Sequence, residues 1–191
     1  MGANGKTGSQ GSPAMECSEQ TALMRRALES ARAALDRNEV PVGAVVALDG
    51  AVLGAAHNQP IALNDCTAHA ELLALRQACA ARGTYRLPGA VLYVTLEPCV
   101  MCVGAIILAR IARVYFGARD PKAGALGSVY DIGRDGRLNH GIEVYGGILE
   151  QECAALMRMF FAHRRALEWN SPAPGNAAGC SPASLRDSSP E

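Results

Sequence analysis

Apolar residues recur at helical spacing from Leu23 to Leu35 (Leu23, Met24, Ala27, Leu28, Ala31, Ala34, Leu35), and Ser18 stands where such a helix would be capped. After Pro41 the pattern changes to a short apolar run, Val42 to Leu48. Asp49-Gly50 then signals a two-residue hairpin into a partner strand, Ala51 to Ala56. A loop with Pro60 and Asp65 follows, and Thr67 can cap an alanine-rich helix ending near Arg82. Val91 to Thr95 is short, β-branched and apolar, as a buried strand is. Pro98 breaks it, Cys99 to Arg110 reads as a helix, and Val114 to Phe116 as another strand. Ile142 to Tyr145 is the last strand expected, before a long amphipathic helix from Leu149 to Trp169. Helices alternating with short apolar strands predict a three-layer α/β/α sandwich, and the opening hairpin makes its five-stranded sheet mixed.

The ends are different. The first residues are Gly, Ser, Asn and Lys with almost no large apolar side chain, and Ser171 to Glu191 carries four Pro and five Ser. Residues 1–17 and 170–191 are therefore expected to be disordered tails around one domain at 18–169. Of the 191 residues 49% are hydrophobic and 19% charged, which excludes disorder throughout. Formal net charge is +0, eighteen cations against eighteen anions, so a nucleic-acid partner has to be argued from a local patch. The longest charge-free apolar stretch, Pro98 to Ala109, falls short of the roughly 18 residues of a membrane span. A cytoplasmic protein is expected.

Seven cysteines at 17, 66, 79, 99, 102, 153 and 180 form no disulfide framework, and only Cys99 and Cys102 are a close pair. Two short motifs begin predicted helices: Thr67-Ala68-His69-Ala70-Glu71 and Pro98-Cys99-Val100-Met101-Cys102. A helix N-terminus concentrates unpaired N–H groups and partial positive charge, favouring the thiolates a metal needs. Cys99 and Cys102, three apart, share a helix face, and His69 can add a nitrogen. In mid-helix His69 and Glu71 would point nearly opposite ways, but in a first turn both can curl around a point beyond the helix end. Two thiolates and a neutral imidazole leave Zn2+ with three protein ligands, no net charge and an open position for water, which is acidified toward neutrality. A free carboxylate alongside can then move protons. A redox pair would not require His-x-Glu, and a structural zinc site would want a fourth soft ligand, for which Cys66 is the close candidate.

The His-x-Glu and Pro-Cys-x-x-Cys pair resembles the signature of the zinc-dependent nucleobase and nucleoside deaminase superfamily, with a cytidine deaminase-like fold. The resemblance runs from about Ser18 to Trp169. It includes Glu39 to Ala44, His57-Asn58-Gln59-Pro60, Thr67 to Glu71, Thr95 to Cys102, Phe116 to Asp120 and Phe160-Phe161. Within the superfamily it implies hydrolytic conversion of adenosine to inosine at the wobble position of a tRNA anticodon, with release of ammonia. It further implies one Zn2+ per subunit on His69, Cys99 and Cys102, with Glu71 as the proton shuttle. Asn58 and Ala70 would meet the flipped nucleotide, and Asp120 and Lys122 match a loop near the RNA. Phe161, Arg164 and Arg165 fall on the last helix, where the superfamily sets aromatic and basic residues beside the anticodon stem-loop. Phe160, at apolar spacing from Cys153 and Leu156, is equally well read as core. On that helix Arg158, Ala162, Arg165 and Trp169 follow one stripe. A homodimer is implied too, and the helix Val103 to Ala109 is apolar almost all round, so it wants cover on more than one face.

Two other functions share these residues. A deaminase of free cytosine, guanine or a similar ring would use the same metal set. A catalytically dead RNA-binding subunit would keep the fold, but Glu71 argues against it, because losing that carboxylate is the simplest way to lose the chemistry.

Overall fold

The structure is a computed structural model and describes residues 13–170; both expected tails lie largely outside that range. Five helices and five strands follow in the order α1 (Pro13–Leu35), β1 (Gly43–Leu48), β2 (Ala51–His57), α2 (Pro60–Leu63), α3 (Ala70–Arg82), β3 (Val91–Leu96), α4 (Val100–Leu108), β4 (Arg113–Ala118), β5 (Glu143–Gly146), α5 (Glu150–Asn170). The strands form one sheet in the order β2-β1-β3-β4-β5. β1 runs antiparallel to both β2 and β3, whereas β3, β4 and β5 are mutually parallel, so the hairpin does make the sheet mixed. Asp49 and Gly50 both adopt positive φ (50° and 77°), the backbone a type I′ turn requires.

Alternation along the strands builds the two cores. Ala44, Val46, Leu92, Val94, Val114 and Phe116 face one side and pack with Ala70, Ala74 and Ala78 of α3 and Val103, Ile106 and Ile107 of α4. Val45, Ala47, Tyr93 and Tyr115 face the other and meet Met24, Ala27, Leu28 and Ala31 of α1 with Cys153 and Leu156 of α5. The result is the three-layer α/β/α sandwich the periodicity predicts. Close approach of α1 to β1 depends on Gly43, where a Cβ would lie 2.0 Å from the Ala27 carbonyl oxygen. On the α1 and α5 face Tyr93, Tyr115 and Tyr145 occupy matching register positions on three adjacent parallel strands and stack, with centroids 5.0 and 4.9 Å apart.

Three local expectations are corrected. α1 begins at Pro13, so Ser18 lies inside it rather than capping it; Pro is well suited to a first helical turn, and Ala, Met and Glu continue it. The 60s loop contains a single helical turn, α2, held by the buried carboxylate of Glu39, whose Oε1 accepts the Ala62 N–H at 2.8 Å. The cap of α3 is His69, because the Thr67 hydroxyl is engaged with Asp65 Oδ1 at 2.7 Å in the preceding turn.

Candidate active site

Both motifs sit where the N-termini of α3 and α4 meet on one side of the sheet. His69 is the N-cap of α3 and Cys99 the N-cap of α4, each in extended backbone, and neither side chain bonds its own helix. Both are thereby free to turn outward. His69 Nδ1 lies 3.7 Å from Cys99 Sγ and 3.5 Å from Cys102 Sγ, and the two sulfurs are 3.7 Å apart. Tetrahedral zinc with Zn–S near 2.3 Å and Zn–N near 2.0–2.1 Å requires S···S of about 3.8 Å and N···S of about 3.6 Å. The three donors therefore fit zinc. Among the described residues this is the one cluster of three or more metal-type donors, and exposed Cys66 is no part of it. The set stays at three protein ligands, as a hydrolytic site requires.

Mutual hydrogen bonding makes the two sulfurs unequal. Hydrogen bonding from Cys102, and then from His69, holds the Cys99 thiol down to about 4 against the opposing effect of burial. Cys102 is pushed up by the same bond and by burial, and His69 is raised chiefly by its bond with Cys99. Holding a divalent cation requires both sulfurs as thiolates and His69 neutral, so binding is coupled to proton release.

Glu71 is 3% exposed, and burial pushes its carboxyl above the ordinary range. Its Oε2 is a buried oxygen with no hydrogen-bond partner among the described residues. Such an atom is costly in a finished core and suited to a group that exchanges protons with a molecule entering from outside. The opening is a cavity of about 920 Å³ lined by Asn58, His69, Glu71 and Cys99 at its base.

The sequence profile of the cytidine and deoxycytidylate deaminase zinc-binding region matches residues 17–118. The chain belongs to this deaminase family. It is 50% identical over 147 residues to the tRNA-specific adenosine deaminase of Agrobacterium fabrum, covering 77% of this chain and 97% of that one. A solved structure from work on A-to-I editing by tRNA:A34 deaminases at the wobble position of transfer RNA superimposes with TM-score 0.69 at 51% identity. That match covers 71% of this chain and 99% of the other. A guanine deaminase from Nitrosomonas europaea is more distant, at 28% identity and TM-score 0.62, over 84% of this chain and 100% of that one.

The deaminase cavity also gathers most of the other residues singled out in the sequence. Asp120, Lys122, Phe161 and Arg165 line it. Arg164 does not; it lines a smaller neighbouring cavity of about 300 Å³ with Phe160, Phe161 and Arg165. Ala70 is fully buried and its N–H is taken by Asn58, so it is not on the wall. Phe160 is core, and Phe161, edge-on to it, is 44% exposed. Arg158, Ala162 and Arg165 are exposed along one side of α5, while the side chain of Trp169 lies outside the described set. Arg119 and Glu97 line the cavity as well, and sequence reasoning gave neither a role. For Glu97 there was a signal: an acid closing an apolar strand, directly before the Pro-Cys pair.

Proposed function

We propose that this chain is a zinc-dependent hydrolase that converts adenosine to inosine at the wobble position of a tRNA anticodon and releases ammonia. One observation carries the reading: Glu71, with its unpartnered carboxylate oxygen, lines one cavity with His69 and Cys99 of the metal-type triangle that buried Cys102 completes, and the wall continues into the basic and aromatic face of α5. His69, Cys99 and Cys102 would hold one zinc ion per chain, and the metal when bound would supply a polarised water at neutral pH. Glu71 would take a proton from the attacking water as it adds to C6 of the purine and pass it to N1. Glu71 then moves the hydroxyl proton to the exocyclic amine, which leaves as ammonia as the C6 carbonyl forms. Oδ1 of Asn58 is used by Ala70, so its Nδ2 is the donor it has for the base. Arg119, Lys122, Arg158 and Arg165 line the cavity beside the carboxylates of Glu71, Glu97 and Asp120, and offer phosphates local cations that the zero net charge of the whole chain does not reveal. Phe161, Arg164 and Arg165 offer a ring and two guanidinium forks to splayed loop bases and phosphates.

A homodimer completes the reading. α4 buries Val103, Ile106 and Ile107 within the chain but leaves Val100 47% and Leu108 74% exposed, with open space at Gly104 between them. A second copy is the cover we assign to that face, and light scattering should give twice the 20.0 kDa chain mass. No helix among the described residues is long and apolar enough to cross a membrane. Thiolate ligands and a tRNA substrate suit the reducing cytoplasm.

The deciding experiment incubates purified protein with tRNA transcripts and sequences them for inosine, with Glu71→Ala as control. The control should keep its zinc and lose at least about 10²-fold in turnover, the usual scale of general acid and base work. Turnover of free guanine or a nucleoside, with no inosine in any tRNA, would replace this reading with a small-molecule deaminase.

A further inference from the structure

Glu97 plays no part in the proton transfers above, yet it is a carboxylate only 2% exposed on the wall of the active-site cavity. Its Oε1 accepts the N–H groups of Leu126 and Ser128, each at 3.0 Å. Its Oε2 accepts the Asp120 N–H at 3.2 Å and the Ser128 hydroxyl. All four donors come from residues 120–128, the segment after β4. That segment lies directly on the carboxylate: a Cβ on Gly124 would be 2.5 Å from Glu97 Cδ and 2.6 Å from the Asp120 carbonyl oxygen. Main-chain bonds continue the attachment, since the Ala125 N–H donates to the Pro98 oxygen at 2.8 Å and Cys99 bridges to Gly124. A single stretch, Glu97-Pro98-Cys99, thus carries a metal-type ligand and also anchors a loop that gives the cavity Asp120, Lys122 and Ala123.

We propose that Glu97 is a positioning residue: its carboxylate folds the 120–128 loop into the cavity wall that seats the nucleotide over Glu71, without touching the reacting atoms. The proposal rests on reading the cavity as a tRNA deaminase site. Four donors require the full acceptor capacity of a carboxylate. Glutamine offers one oxygen and an NH2, so part of the donor set would face another donor and stay unpaired in a buried place. Aspartate is one methylene shorter and cannot span the same set. No local sequence rule exposes this arrangement, because the donors lie 23 to 31 residues downstream.

The test compares wild type, Glu97→Gln, Gly124→Ala and the double variant, all zinc-loaded, by hydrogen exchange, zinc content and steady-state kinetics on an anticodon stem-loop. Glu97→Gln should keep its zinc and the protection of α3 and α4, while amides of 120–128 exchange at least about tenfold faster. KM should rise about tenfold with kcat changed less than about threefold, the pattern of lost substrate seating. Gly124→Ala strains the same contact from the other side and should give the same signature, and the double variant should be little worse than either alone. Unchanged loop exchange in Glu97→Gln would overturn the proposal, as would effects of the two substitutions that simply add. Loss of zinc and collapse of thermal stability in both single variants would make Glu97 a support of the whole fold and overturn it equally. If wild type makes no inosine in any tRNA, the substrate reading fails, and the exchange data still decide whether Glu97 holds the loop.

Discussion

Asn58 Oδ1 accepts the main-chain N–H of Ala70 at 2.8 Å, so a side chain just beyond β2 caps the helix that carries His69 and Glu71. The cap has to come from elsewhere because His69, the N-cap residue itself, directs its ring at the two cysteines. Removing it with Asn58→Ala should cost about 1–2 kcal/mol, the scale of a lost N-cap, and lower kcat/KM as well. Asn58→Asp keeps an acceptor for Ala70 but lacks the Nδ2 donor. It should hold its melting temperature close to wild type and still lose activity. Wild-type kcat/KM in Asn58→Asp would mean that the amide does not meet the base.

The glycines predict substitutions of opposite sign. At Gly43 an added methyl meets main-chain atoms, the Ala27 oxygen at 2.0 Å and the Ala31 nitrogen at 2.5 Å, so α1 must lift from β1. Gly43→Ala should destabilise by about 1–3 kcal/mol, the range for overpacking. Gly104 meets nothing within 4 Å of its own chain and is in mid-helix, so Gly104→Ala should stabilise the dissociated chain by about 0.5–1 kcal/mol, a gain that a second copy packed on the Val100–Leu108 face would offset. A urea midpoint for Gly43→Ala at or above wild type would contradict the packing described for α1.

Those two glycines and Asn58 show which parts of the molecule were legible in the sequence. Periodicity and punctuation act over a few residues, so the hairpin at Asp49-Gly50, every strand and the long helices were visible. The metal triangle was visible too, because two of its ligands are three residues apart and the third stands at a helix start. What stayed hidden depends on buried acceptors brought from a distance. Asn58 caps α3, Glu39 ties down α2, and Glu97 gathers 120–128. In each case the helix or loop looks unsupported in its own segment, which is why the local pattern points to Thr67 as the cap and shows no helix at Pro60.

Alkaline pH should weaken the face formed by α1 and α5. Burial pushes the Tyr93 phenol up to about 12 and the Cys153 thiol up to about 12, from ordinary values of 10.0 and 9.0. Below pH 9 both groups are neutral folded or unfolded and cost nothing. As pH rises from about 9 toward 12, the unfolded chain ionises first, so stability is progressively lost over that window. Urea midpoints measured from pH 8 to 11 should fall. The fall should be shallower in Tyr93→Phe and in Cys153→Ala. An identical slope in wild type and both variants would assign the alkaline loss to other groups.

α5 meets the sheet with one side and the cavities with another. Its buried side is Cys153, Leu156 and Phe160, so the helix is attached to the sheet without help from Arg164 or Arg165. Those two arginines instead border the cavities on the solvent side, with Phe161 beside them. A free base would need neither guanidinium. An RNA loop offers phosphates to both and an unstacked base to the ring. Arg164→Glu with Arg165→Glu should therefore leave zinc content and melting temperature near wild type and weaken stem-loop turnover sharply. Each phosphate contact contributes about 0.7 to the slope of log affinity against log salt for single strands, so the double variant should lose up to about 1.4 of that slope. If turnover falls but the slope holds, the arginines act on the base rather than on phosphate. If neither moves, α5 is a solvated helix face, and RNA must reach the cavity past Lys122 and Arg119 instead.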